Sequence, residues 1–188
     1  MARVLADTNV LFPFSLMDLM LALSQDRIHT LLWSDRLLDE WERVIVREQH
    51  RSPTAAAAIA TAIRDYFPEN RVPDTDYKDL LATLEGPDPD DLHHLAAAAI
   101  GRARTLITWN LADFPAAALG PLGITATDPD TYLCGLLERD PAELTATLRR
   151  MANEKRRPPI TTIDLTDALE RAGVPVFATR ARHLLAAR

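Results

Sequence analysis

Three aspartates, Asp88, Asp90 and Asp91, stand directly before an alanine-rich apolar run from Leu92 to Ala99. A further acid, Asp113, follows the β-branched and aromatic stretch Thr105-Leu106-Ile107-Thr108-Trp109. Asp7 closes the short apolar run Arg3-Val4-Leu5-Ala6, and Glu40 sits beside Trp41, near the apolar seam of an amphipathic segment. Each acid has an ordinary role open to it. Asp7 and Asp91 could cap helices, Asp113 could serve a turn, and Glu40 could pair with Arg36, Arg43 or Arg47. Taken as a set they suggest chemistry. If the strands are parallel neighbours, their carboxyl ends converge and crowd the carboxylates, and like charges a few ångströms apart are costly. A divalent cation relieves that repulsion. Mg²⁺ and Mn²⁺ prefer oxygen ligands, and Mg²⁺ uses only one or two protein carboxylates, which leaves another to orient and deprotonate a water. This is equipment for metal-assisted phosphodiester hydrolysis.

The elements that must position these acids read as an alternating α/β chain. Apolar or β-branched runs at Arg3–Ala6, Ile28–Trp33, Thr105–Trp109 and Gly123–Ala126 are expected strands. Between them, helices are expected over Leu11–Leu23, after Ser34 through the SDRLLDEWERVIVREQH segment, over Thr54–Phe67 and over Leu92–Ala99. Gly101 is placed as the stop of the last of these. Asp74–Leu84 has only a weak helical pattern. From Asp128 onward the pattern is helical throughout, with Asp140 and Thr161 placed to start helices. The expected organisation is an α/β body over residues 1–138 and an all-helical extension over 139–188.

Composition narrows the class. The 188 residues are 47% hydrophobic and 26% charged, which is ordinary for a soluble globular chain and excludes a disordered one. The net charge of −6 is unusual for a protein that tracks phosphates, although a carboxylate cluster built for a cation contributes to it. A single cysteine, Cys134, excludes an internal disulfide and fits a reducing compartment. No run is long and apolar enough for a membrane span, and no signal peptide is expected. A cytoplasmic location is therefore expected.

Together, Leu5-Ala6-Asp7-Thr8-Asn9, Glu40 in its helix, Asp88-Pro89-Asp90-Asp91 before the alanine-rich helix, and Thr108-Trp109-Asn110-Leu111-Ala112-Asp113-Phe114-Pro115 resemble a PIN domain. The closest likeness is to VapC-like ribonuclease toxins of toxin–antitoxin modules, and it covers about residues 1–135. The resemblance implies a three-layer α/β/α fold with a small central parallel sheet, carrying the all-helical extension. It implies a Mg²⁺- or Mn²⁺-dependent endoribonuclease, a cognate protein antitoxin and a homodimer. By motif position it assigns Asp7, Glu40, Asp91 and Asp113 as the acidic set. Asp7, Asp91 and Asp113 would hold the metal, directly or through water, and Glu40 would serve the attacking water. Asn9, Thr108 and Asn110 match supporting polar positions. The run Asp88-Pro89-Asp90-Asp91 departs from the pattern by offering more than one third acid. Asp91 is preferred because Ala98 falls seven residues on, at the family's small position, with Asp88 as a neighbour on the same face.

Two other features stand beside this set. His93 and His94 adjoin the aspartates, but adjacent helical residues point about 100° apart, so they are read as helix residues at the site's edge. The basic cluster Arg149, Arg150, Lys155, Arg156 and Arg157 is the stretch suited to RNA phosphates, with a solvated helix end as its ordinary alternative. Two other functions compete: a catalytically weak PIN-fold protein that binds RNA or regulates, and a Mg²⁺-dependent phosphatase. The complete acidic set counts against the first. Asn9 counts against the second, because a second aspartate is usual two residues after such an enzyme's nucleophile.

Overall fold

The computed structural model describes residues 1–187. Four short strands, β1 (Ala2–Ala6), β2 (His29–Leu32), β3 (Thr105–Ile107) and β4 (Thr125–Thr127), form one parallel sheet in the order β2-β1-β3-β4. The register aligns Ala2 with His29, Ala6 with Ile107, and Ile107 with Thr127. Val4, Leu5 and Ala6 are each fully buried, as are Leu106 and Ile107. Successive strand residues point to opposite faces, so both faces of the sheet are covered and the architecture has three layers. The chain leaves β1 toward β2 on one side and returns to β3 on the other. The carboxyl ends of β1 and β3 thus flank the switch point where open α/β sheets form their crevice.

Helices α1 (Thr8–Leu11) and α2 (Phe14–Gln25) replace the single expected helix over Leu11–Leu23. Pro13 breaks it: proline has no N–H to continue the first helix, and it opens the second. α3 (Asp35–Arg47) begins where Ser34 accepts the Leu37 N–H at 3.2 Å, and its seam buries Leu37, Leu38, Trp41 and Ile45. Next come α4 (Pro53–Tyr66), α5 (Asp74–Leu81) and α6 (Leu92–Ile100). The weakly patterned segment is therefore a true helix. α6 packs on β1, β3 and α5, and His93 through Ala98 are all buried, so this helix is enclosed on every side. Gly101 ends it with φ −69°, so no left-handed turn is involved; a Cβ there would meet Leu32 Cδ1 at 2.6 Å. The glycine permits close approach.

After a short helix α7 (Ala116–Leu119) the chain forms α8 (Pro129–Arg139), α9 (Pro141–Glu154), α10 (Thr162–Arg171) and α11 (Pro175–Ala186). Asp128 caps α8 through the Thr131 N–H, and Thr161 with Asp164 forms a reciprocal capping box on α10. Asp140 makes no side-chain cap; it pairs with Arg139. These helices share the core of the body: Leu144, Leu148, Leu165, Leu169 and Phe177 belong to the same buried cluster as Leu16 and Met20. α9 and α10 both pack on α2, and α8 packs on α11, whose first N–H groups at Val176 and Phe177 are held by the Asp130 carboxylate. Among the described residues no helix is long and apolar enough to cross a membrane.

Candidate functional site

At the carboxyl end of β1, Asp7 is 3% exposed. It occupies the cap position of α1 but makes no side-chain cap bond, and Asp91 likewise leaves the start of α6 uncapped. Both carboxylates are thus free of the ordinary role their positions offered. Instead, Asp7 Oδ2 accepts hydrogen bonds from Thr108 Oγ1 and Asn9 Nδ2, each at 2.7 Å. Thr108, just past β3, also accepts the Asn110 N–H at 3.0 Å, and Asn9 Oδ1 receives the Trp109 N–H at 3.4 Å. Adjacent parallel strand ends therefore hold one carboxylate in a fixed orientation.

Asp7, Thr8, Asn9, Phe12, Glu40, Val44, Asp91 and Asn110 line one pocket of about 310 Å³. Three of the four expected acids are brought together there. Asp113 is the exception. It lies on a single 3-10 turn, Leu111–Asp113, beyond the strand end and outside the pocket lining, though close enough for its charge to act on Asp91. Asp88 is exposed, and its carboxylate accepts the Asp90 N–H, a local turn contact.

The electrostatics are those of crowded, partly dehydrated carboxylates. Burial raises the Asp7 pKa; the Thr108 side chain and the Asn9 backbone oppose this, and the Glu40 charge adds to it. Asp91 is pushed up to about 6, first by burial and then by repulsion from Asp7, Asp88, Asp113 and Glu40. Burial would also raise Glu40, but the neighbouring imidazoles, His93 foremost, outweigh it and hold the carboxyl below its ordinary value.

The histidines are where reading the chain fell short. Neither sits at an edge: His93 is 1% exposed and His94 fully buried, with ring centroids 3.9 Å apart. His93 Nδ1 donates to the Asp90 carbonyl at 2.7 Å, since a carbonyl can only accept, and Nε2 faces Glu40 Oε2 at 3.2 Å. His94 Nε2 stands 3.3 Å from Asp7 Oδ1 and 3.6 Å from Glu40 Oε2. Two adjacent side chains reach the site because the helix is enclosed all round at this turn. The readable signal was the step of three from Asp91 to His94, which puts both on one face. Glu40 pairs with none of the expected arginines among the described residues; His93 and His94 take that place.

The donor set fits a divalent cation. Two combinations, Asp7–Asp91–His94 and Glu40–His93–His94, bring one ligand atom from each residue within 4.8 Å of the others. The buried atoms His94 Nδ1, His94 Nε2, His93 Nε2 and Thr8 Oγ1 make no hydrogen bond among the described residues. Buried polar atoms are seldom left without a partner, and imidazole nitrogens so placed are suited to holding an ion.

The basic cluster is less available than its charge suggested. Arg150 is paired with Asp26 at 2.9 Å and Glu154 at 3.1 Å, and Lys155 with Asp18 at 2.7 Å. Arg149, Arg156 and Arg157 make no ion pair among the described residues, and none of the five lines the acidic pocket. Of the tryptophans, Trp33 and Trp41 are buried and donate to the carbonyls of Phe67 and Leu11, while Trp109 is 37% exposed beside Asn9.

Comparison with known proteins places the chain among relatives. Residues 3–112 match the family model described as PIN domain, and residues 129–183 match that of the VapC50 C-terminal domain. A protein of Mycobacterium tuberculosis named "Putative ribonuclease VapC50" is 39% identical over 108 residues, which cover 57% of this chain and 63% of that protein. The aligned region thus spans less than two thirds of that relative's length. No solved structure matches the chain.

Proposed function

This chain belongs to the PIN-domain family, and from that premise we propose that it is a metal-dependent endoribonuclease, the toxin of a type II toxin–antitoxin pair. The observation that carries the proposal is the convergence of Asp7, Glu40 and Asp91 on one pocket, where burial first, and then the charges of Asp7 and Glu40, raise the proton affinity of Asp91. Asp7 and Asp91 would hold a Mg²⁺ or Mn²⁺ ion, with Asp113 contributing from the rim through water. When bound, the ion supplies positive charge for the scissile phosphate and for the attacking and leaving oxygens.

The chain's own groups supply the rest. Thr108 and Asn9 keep Asp7 in one orientation, so its free oxygen is presented without reorganisation. Glu40, held below its ordinary pKa, is ionised at neutral pH and takes the proton of the attacking water. The water oxygen bonds to phosphorus as the bond from phosphorus to the 3′ oxygen breaks. The departing 3′ oxygen takes a proton from solvent water, so the products are a 5′-phosphate and a 3′-hydroxyl. Trp109 offers an aromatic face at the rim on which a base can stack, and Arg149, Arg156 and Arg157 remain for backbone phosphates. A cognate antitoxin and self-association into a homodimer complete the reading, with residues 1–138 as the nuclease body and 139–188 as its helical extension.

The test is cleavage of defined transfer and ribosomal RNA fragments by the purified chain, with Mn²⁺ or with EDTA, followed by mapping of the ends. Cleavage in Mn²⁺ alone, leaving 5′-phosphates and abolished in Asp7→Asn, supports the proposal. Equal cleavage in EDTA, or by Asp7→Asn, contradicts it.

A further inference from the structure

We propose that His94 is a metal ligand, its Nε2 joining the carboxylates of Asp7 and Asp91 in a mixed nitrogen–oxygen centre that favours Mn²⁺ over Mg²⁺. The inference rests on the metal-dependent reading of this pocket and adds to it a ligand that the acidic set does not contain.

Three observations lead there. Asp91, the helical-region cap residue of α6, and His94 in its first turn lie three residues apart, so a carboxylate and an imidazole share one face and project together toward the end of β1. One ligand atom from each of Asp7, Asp91 and His94 lies within 4.8 Å of the others. The imidazole itself is fully buried and hydrogen-bonded at neither nitrogen among the described residues. Its Nε2 comes to 3.3 Å from Asp7 Oδ1 without forming a hydrogen bond. That spacing suits two ligands of one ion: with bonds of about 2.1 Å, neighbouring ligand atoms lie roughly 3.0–3.5 Å apart.

The other combination, Glu40–His93–His94, uses the same His94 nitrogen. Asp7 and Asp91 are the better partners because neither carboxylate is used to cap its helix, whereas Glu40 Oε2 already faces His93 Nε2 at 3.2 Å. An imidazole changes the choice of metal. Mg²⁺ takes oxygen ligands almost exclusively, while first-row transition dications accept nitrogen readily.

Two measurements on the full chain test the proposal: pulsed electron paramagnetic resonance of the Mn²⁺-loaded protein, and calorimetric titration with Mn²⁺ and with Mg²⁺. Wild type is expected to show hyperfine coupling from a directly bound nitrogen. His94→Leu should lose that coupling and bind Mn²⁺ at least about tenfold more weakly, with Mg²⁺ affinity changed far less. His93→Leu should keep the coupling, and thermal melts establish that each variant is folded. Mn²⁺ binding by wild type without nitrogen coupling, or coupling that persists in a folded His94→Leu, overturns the assignment of His94 and leaves the carboxylate site standing. Failure of wild type to bind Mn²⁺ at all removes the metal-dependent reading and this inference together. If His94→Leu does not fold, loss of the coupling in His93→Leu overturns the proposal by itself.

Discussion

The indole of Trp109 occupies the space that a side chain on Gly173 would need: a Cβ there would lie 3.1 Å from both Cη2 and Cζ2 of the ring. Gly173, with φ +97°, joins α10 to α11, and the Trp109 N–H is bonded to Asn9 next to Asp7. The C-terminal helices therefore approach the Trp109 side of the acidic pocket at Gly173. Gly173→Ala should cost about 1–3 kcal/mol, from backbone strain plus the clash. Gly123→Ala is the control, because φ is +68° there but nothing lies within 4 Å of the added carbon. Thermal melts and tryptophan emission should show a larger loss and a spectral shift for Gly173→Ala only. Equal losses with unchanged emission would mean that the contact is incidental.

Thr108 is the support on which the orientation of Asp7 depends. Thr108→Val keeps the shape but removes the hydroxyl that donates to Asp7 Oδ2 and accepts from the Asn110 N–H. The substitution should destabilise the protein by about 1–3 kcal/mol, as partners are left unpaired in a buried site. Mn²⁺ affinity should fall about 10–100-fold, as when an outer-shell partner of a ligand is lost. Calorimetry and melting curves check both effects.

Asp91 should oppose stability in the metal-free protein. Its folded pKa of about 6 lies above the ordinary 3.8, so its penalty is absent at low pH and grows as pH rises through that interval. Asp91→Asn should therefore raise the melting temperature at pH 7 in EDTA by about 2–4 °C. Mn²⁺ should then stabilise wild type strongly and the variant little, since a ligand stabilises only the state that binds it. Scanning fluorimetry with and without the ion reads both effects.

A different buried imidazole sets the acid limit. His29 Nε2 donates to the Met20 carbonyl at 2.9 Å, so Nδ1 accepts from the Tyr132 hydroxyl at 2.8 Å, and the ring is held neutral. Burial lowers its pKa to about 4, against 6.5 in the unfolded chain. Its contribution is complete above pH 6.5 and disappears as pH falls toward 4, by up to about 3 kcal/mol. His94 acts in the same sense and Asp91 in the opposite one, so the informative quantity is the difference between variants. His29→Gln should be less stable at pH 7 yet lose less on acidification, measured by denaturant unfolding at several pH values.

The strands could be read because β-branched and apolar residues concentrate in runs bounded by Asp, Asn and Gly, and Ser34 and Thr161 announced their helices through cap chemistry. Sheet order could not be read so directly; it brings Asp7 and Thr108 together from positions 101 residues apart. The break at Pro13 was visible in the residue type but hidden by the apolar run around it. How much of the basic cluster is already paired could not be read, because Asp26 and Asp18, which pair with Arg150 and Lys155, lie 124 and 137 residues away in the chain. His94 was passed over by comparing it with His93, when the relevant neighbour was Asp91.

A Mn²⁺-soaked crystal, examined by anomalous scattering, asks most directly whether a cation occupies this pocket. One strong peak within coordination distance of the Asp7 and Asp91 carboxylates, absent in crystals of Asp91→Asn, is the predicted result. A map with no peak between those side chains at millimolar Mn²⁺, in protein that cleaves RNA, would contradict the account.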